Sequence, residues 1–293
     1  MPSGKPNWGR LRSRLGFEDL NTKEVNEFES APCDNVPSAE YMISESPLDR
    51  AVILAAGRGT RMGEMTREMP KPMLPAQGKP LLEHIVERLA AGGVERLLII
   101  VGYHHELIEE HFRNSRFAME FRRQEPVNGT GSAALLAKDF AAGKPFLLTY
   151  GDILVEPDEY RRCISVLEEN RNCAAAVAVK RVDDPWQGAA VYEAGGRITQ
   201  IIEKPPKGAS TTHWNSAGFY AFRPLLFDYL HRIQPSSRNE YELTSALELM
   251  LSEQRELRIS EVAGHWRDVG RPEDLEAVNR REGATISQEE RKH

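Results

Sequence analysis

Apolar residues along this chain fall into short unbroken blocks separated by amphipathic stretches. The first block, Ala51-Val52-Ile53-Leu54-Ala55-Ala56, is long enough for a strand buried on both faces and too short for a helix. Comparable blocks recur at Arg96 to Val101 (RLLIIV), Ala118 to Arg123, Pro145 to Tyr150 (PFLLTY) and Ala174 to Val179. Helical spacing fills the intervals. Pro80 to Ala91 (PLLEHIVERLAA) has a proline suited to its first turn and Gly92-Gly93 as its stop. His104 to Phe112 and Glu159 to Glu169 read as helices, and Gly129 to Phe140 as a glycine turn feeding one. This alternation predicts an α/β chain with a mostly parallel sheet covered on both faces. Beyond Val179 the rhythm changes. Gly188 to Tyr192, a Gly195-Gly196 turn and Arg197 to Glu203 predict a hairpin. Asn215 to Phe222 and Leu257 to Val262 predict strands, and Glu242 to Leu251 and Pro272 to Val278 helices, giving one mixed central sheet.

The pattern fails before Arg50 and after the last helix. Residues 1–49 start with Lys5, Arg10, Arg12 and Arg14 and no acid in the first seventeen positions, then turn acidic from Glu18 to Asp49. Apolar residues are sparse there, and Pro32, Pro37 and Pro47 interrupt any helix, so a flexible polar extension is expected. Residues 50–283 are the expected globular domain and 284–293 a polar tail.

With 293 residues, 40% of them hydrophobic and 28% charged, the chain can bury a full core. Its net charge of -6 argues against a nucleic-acid partner, which needs a concentrated basic face. Cys33, Cys163 and Cys173 show neither metal spacing nor a disulfide framework, which suggests a reducing compartment. No apolar run reaches membrane-spanning length and no signal-peptide core follows Met1, so a cytoplasmic protein without a membrane partner is expected.

Chemistry gathers where the first strand ends. Gly57-Arg58-Gly59-Thr60-Arg61 offers close backbone amides and two cations, and Pro70 and Pro72 stiffen the chain around Lys71. A strand end, an amide-rich turn, Arg and Lys describe a polyphosphate site. The loop is no Walker loop, and its G-x-G-x-x-x-G spacing misses the dinucleotide fingerprint. Asp152 stands at the C-terminal end of a predicted strand, where open α/β sheets bind ligands. With Asp268 it would suit one Mg²⁺ completed by phosphate oxygens. Glu203-Lys204 sits before Pro205-Pro206; both side chains reach one ligand only if the strand bends there. Asn215 and Gly188 could add an amide and a backbone N–H. Ser132 and Cys163 have no nucleophile-elbow context, and phosphoryl or nucleotidyl transfer can run on positioning and charge alone.

Five motifs stand in one order: LAAGRGTRM with KPMLP, Gln124 followed by NGTGSA, YGD at Asp152, IIEKP followed by NSAGFYAF, and WRDVGRPEDL. In this the chain from Arg50 to about Arg281 resembles the sugar-1-phosphate nucleotidyltransferases, or NDP-sugar pyrophosphorylases, especially those using UTP or dTTP with glucose 1-phosphate. The resemblance implies a Rossmann-like nucleotidyltransferase fold and attack of a sugar 1-phosphate on the α-phosphorus of an NTP, releasing pyrophosphate. It implies that Ala56, Gly57, Gly59 and Thr60 hold base and phosphates, with Gln124, Gly129 and Thr130 reading the base. Arg61 would hold the leaving pyrophosphate and Lys71 the α-phosphate region. Asp152 and Asp268 would hold Mg²⁺. Gly188, Glu203 and Asn215 would contact the sugar, and Lys204 its phosphate. A homo-oligomer is also implied. Ala-Ala-Gly in the first motif leans toward UTP over dTTP. The β-helix acyltransferase domain and long C-terminal helices of some relatives are not expected after Arg281. Two alternatives stay open: a sugar-nucleotide sensor without turnover, and a cytidylyl- or guanylyltransferase acting on another phosphorylated substrate.

Overall fold

The computed structural model of the chain describes residues 48–289, with side chains to residue 280. The expected N-terminal extension therefore falls, but for its last two residues, outside the described residues. The chain begins with strand β1 (Arg50–Ala55), a loop of tight turns, and a two-rung hairpin, β2 (Pro75–Ala76) and β3 (Lys79–Pro80). Helix α1 (Leu81–Ala91), β4 (Arg96–Val101), α2 (His105–His111) and β5 (Ala118–Arg123) follow. Next come α3 (Thr130–Leu135), α4 (Lys138–Ala141), β6 (Phe146–Tyr150), β7 (Ile153–Val155) and α5 (Pro157–Glu169). The second half holds β8 (Cys173–Arg181), the hairpin β9 (Ala189–Ala194) and β10 (Arg197–Glu203), and β11 (Trp214–Phe222). It closes with α6 (Leu226–Leu230), α7 (Leu243–Ser252), β12 (Glu256–Glu261), β13 (Trp266–Asp268) and α8 (Pro272–Glu289).

The main sheet runs β5-β4-β1-β6-β11-β8-β12-β10-β9. Its first four strands are parallel, as strand–helix alternation requires. β11 then enters between β6 and β8 antiparallel to both. Parallel pairing returns only between β8 and β12, so antiparallel neighbours are as common as parallel ones, more than the apolar pattern suggested. Both faces are covered. Ala51, Ile53 and Ala55 join a core with α1 and α5, whereas Val52 and Ala56 join one with α6 and α7. That two-sided burial is why the strand reads as an unbroken apolar block. Helix α5 opens on Pro157 with Asp158 and Glu159 in its first turn, suited to the positive end of the helix dipole. Helix α8 runs well past Val278, the expected end. Cys163 and Cys173 are buried free thiols. Among the described residues no helix is long and apolar enough to cross a membrane.

Candidate active site

The parallel strands finish in register, Ala55 beside Val101 and Val101 beside Arg123, with Leu54 beside Tyr150. The loops carrying Ala56, Gly57, Gly59, Thr60, Gln124, Gly151 and Asp152 therefore leave the same sheet edge. Gly59 has φ 64°, and a Cβ there would lie 2.7 Å from the Lys71 Cβ. Only glycine permits that approach. The Thr66 hydroxyl, buried beneath, donates to the Gly59 carbonyl at 3.1 Å and keeps the loop folded back on itself. Lys71, 7% exposed, opens the short turn after Pro70 and pairs with Asp152 at 2.5 Å. The prolines thus hold the ammonium against a carboxylate. Arg58 points elsewhere, its guanidinium 5.8 Å from the Tyr103 ring.

The two acids of the expected metal site meet through a ladder too short to see in the sequence. β7 pairs antiparallel with β13, setting Asp268 opposite Ile153, and the Val269 N–H donates to the Asp152 carbonyl at 2.9 Å. Burial first, and the Asp152 charge second, push the Asp268 carboxyl up to about 6, with Lys71 and Arg61 opposing the rise. One oxygen of each acid, Oδ1 in both, is buried without a hydrogen-bond partner. Two orphaned, mutually repelling oxygens fit a hard divalent cation. Among the described residues no third His, Cys, Asp or Glu joins them, so such a cation would complete its shell with ligand or water oxygens.

A cavity of about 730 Å³ opens in front of this pair. Asp152, Asp268 and Arg61 line it together with Glu203, Lys204, Asn215, Gly188 and Thr130. The strand does bend where Glu203 meets Lys204: Lys204 takes φ 42°, and its N–H donates to the Gly188 carbonyl at 2.7 Å. That left-handed turn brings both side chains to the cavity, with Lys204 Nζ 3.9 Å from Glu203 Oε1. Burial, then the neighbouring Glu242, raises the Glu203 carboxyl above its ordinary value. A Cβ at Gly188 would collide with Asn215 Oδ1 at 2.3 Å, so the glycine makes room for that amide.

Of the expected base readers, Thr130 lines the cavity and Gln124 and Gly129 do not. Buried Gln124 donates through Nε2 to the Gly129 carbonyl and to Ser132 Oγ, both at 2.9 Å. Thr130 Oγ1 accepts from the Leu243 N–H at 3.0 Å and so satisfies a first-turn donor of α7. Gly129, with φ 126°, leaves no space for a Cβ, which would fall 2.3 Å from the Tyr241 carbonyl. Ala56, Gly57, Gly59, Thr60, Lys71, Gln124 and Gly129 are not among the residues that line the cavity. Neither rejected nucleophile is available. Ser132 donates to Asn128 Oδ1 at 2.6 Å, and burial pushes the Cys163 thiol up to about 12.

One element of the site escaped the sequence reading. Arg238, Glu240 and Glu242 line the cavity beside Glu203, carried on the turn before α7. The run Ser236-Ser237-Arg238-Asn239-Glu240 resembles any polar loop, and its only signal is the density of charge.

The nucleotidyl transferase family model matches residues 50–284. The chain belongs to that family. Its similarity to the bifunctional protein GlmU of Methanococcus maripaludis strain S2 is 38% identity over 231 residues, 78% of this chain and 53% of the relative. The chain thus spans about half the length of the relatives of that name. Against the UTP–glucose-1-phosphate uridylyltransferase AglF of Haloferax volcanii it is 33% identical, covering 79% of this chain and 96% of the relative. Among solved structures, a UDP-glucose pyrophosphorylase complexed with UDP-glucose superposes with a TM-score of 0.74 at 23% identity, over 81% of this chain and 99% of that one. A Bacillus anthracis glucose-1-phosphate thymidylyltransferase described as putative gives 0.71 at 25% identity, over 78% and 93% of the two chains. These superpositions establish the nucleotidyltransferase fold expected from the five motifs.

Proposed function

We propose that this nucleotidyltransferase condenses an NTP, UTP first, with a sugar 1-phosphate, glucose 1-phosphate first, to give an NDP-sugar and pyrophosphate. The observation carrying this reading is the arrangement of one cavity. Its lining combines a carboxylate pair and Arg61 with a lysine, a carboxylate and an amide suited to a phosphorylated sugar. The names of the Haloferax relative and of the Staphylococcus epidermidis UTP–glucose-1-phosphate uridylyltransferase, 31% identical, support UTP and glucose 1-phosphate.

In this reading a phosphate oxygen of the sugar 1-phosphate forms the new bond to the α-phosphorus. The bond from that phosphorus to the pyrophosphate oxygen breaks, and its electron pair leaves with pyrophosphate. Two anionic groups must approach, so electrostatics dominates the barrier. Lys204 holds the attacking phosphate, while Glu203, Asn215 and the Gly188 backbone engage sugar hydroxyls. Arg61 takes the leaving pyrophosphate, and Lys71 adds positive charge near the α-phosphate. The Gln124 to Thr130 turn receives the base, and Ala56, Gly57, Gly59 and Thr60 receive the phosphates and ribose. Asp152 and Asp268 would hold Mg²⁺, which supplies charge neutralisation at the phosphate oxygens. Holding both substrates in one cleft can contribute roughly 7–11 kcal/mol through orientation.

The test is pyrophosphate release from a matrix of NTPs and sugar 1-phosphates, with Mg²⁺ and with excess chelator. Release from UTP and glucose 1-phosphate, lost with chelator, is expected. Binding of NDP-sugar with no release in any combination would favour a sensor instead.

A further inference from the structure

The proposed sugar site carries more negative charge than hydroxyl recognition needs. Glu203 and Glu242 approach each other around a single guanidinium. Arg238 Nη2 lies 3.3 Å from Glu203 Oε1, and Arg238 Nε donates to Glu242 Oε1 at 3.1 Å. Glu240 stands 3.9 Å from the same guanidinium. Glu242 is only 5% exposed, so its charge is poorly screened by water. Glu248 of α7 lies within electrostatic reach of both Glu203 and Glu242. Lys204 is the other cation in contact, 3.9 Å from Glu203, and a substrate phosphate would take much of its charge. Arg238 then faces the acids alone.

The Arg238 turn is itself fixed. Ser236 N–H donates to the Glu240 carbonyl at 2.9 Å, and Asn239 N–H to the Ser236 carbonyl at 2.8 Å. Tyr241 is clasped to the base turn, donating to the Asn128 carbonyl at 2.8 Å and accepting from Gly131 N–H at 2.7 Å. The backbone that carries Arg238, Glu240 and Glu242 is therefore held in place beside the cavity.

We propose that Arg238 and Glu242 set the charge class of sugar accepted: hexose 1-phosphates with neutral or amino ring substituents are admitted, and hexuronic acid 1-phosphates are rejected. A ring carboxylate would add a further anion to a site already short of cations, whereas an ammonium group relieves the repulsion between Glu203 and Glu242. The proposal rests on reading this cavity as a sugar 1-phosphate site.

The test compares kcat/KM, by pyrophosphate release with each NTP, for glucose 1-phosphate, glucosamine 1-phosphate and glucuronic acid 1-phosphate. The uronic acid is expected at least about 100-fold below glucose, and glucosamine within about tenfold of it. Glu242→Gln should narrow the uronate gap about tenfold, and Arg238→Gln should widen it. Glu240→Gln, at the exposed rim, should narrow it about threefold without disturbing the buried acids. A purely structural defect lowers all three substrates together and leaves their ratios unchanged. Turnover of the uronic acid within threefold of glucose, or unchanged ratios in all three variants, overturns the proposal while leaving the sugar-phosphate reading standing. Absence of release from every sugar phosphate overturns that reading and this one with it.

Discussion

Asp268 shows how one residue of the proposed metal site would set stability against function. Its carboxyl is pushed up to about 6 because burial and Asp152 both oppose its charge. Between about pH 4 and 6 the folded chain therefore holds a proton that the unfolded chain releases. In metal-free protein this group adds stability as pH falls from 7 toward 5, about 1.4 kcal/mol. Asp268→Asn should remove that pH dependence and raise the melting temperature of the metal-free protein at pH 7, while cutting kcat by about 10²-fold or more. Denaturation with chelator at several pH values, beside turnover, checks both signs. Gly59 gives the opposite case. Ala there would meet Lys71 at 2.7 Å with φ 64°, so Gly59→Ala should cost about 1–3 kcal/mol and also lower kcat. Lys71→Ala should cut kcat by about 10²-fold without the clash. These residues were readable because glycine, lysine and aspartate stand in dense motifs near strand ends. Arg238 was not, because it lies in a polar turn whose meaning depends on Glu203, 35 residues earlier.

At the scale of elements, the apolar pattern identified the strands but not their directions. Asn215 to Phe222 reads as a buried strand whichever way it runs, and only tertiary packing sets β11 antiparallel between β6 and β8. β7 and β13 escaped because three residues give no periodicity. Yet their ladder brings Asp268 beside Asp152. Its support includes Gly218, in the irregular part of β11, where φ is 79° and a Cβ would sit 2.8 Å from Ile153 Cγ1. Gly218→Ala should displace β7 and move Asp152. The expected result is a kcat lower by about tenfold or more, since misplacement by about an ångström is costly, with little change in the affinity for UTP. Steady-state kinetics beside calorimetric UTP titration separates the two effects.

For the whole molecule, the parallel half contributes the acid pair's first member and the glycine loop, and the mixed half contributes Glu203, Lys204 and Asn215. The alternation of strands and helices made the first half legible. The second half depends on a left-handed residue, Lys204, inside a turn that the two prolines only hinted at. If, as proposed, the halves serve different substrates, Lys204→Ala should raise KM for the sugar 1-phosphate about tenfold or more while leaving UTP affinity within about threefold. In the proposed reaction one phosphate oxygen displaces pyrophosphate directly, with no protein nucleophile. Ser132 is tied into the Gln124 turn and Cys163 is sealed in the core, which supports it. The most direct measurement is the stereochemical course at the α-phosphorus, using UTP with a single configuration of sulfur at that phosphorus and glucose 1-phosphate. A single in-line displacement predicts inversion in the UDP-glucose analogue; retention would mean two displacements through a covalent enzyme intermediate and would contradict the account.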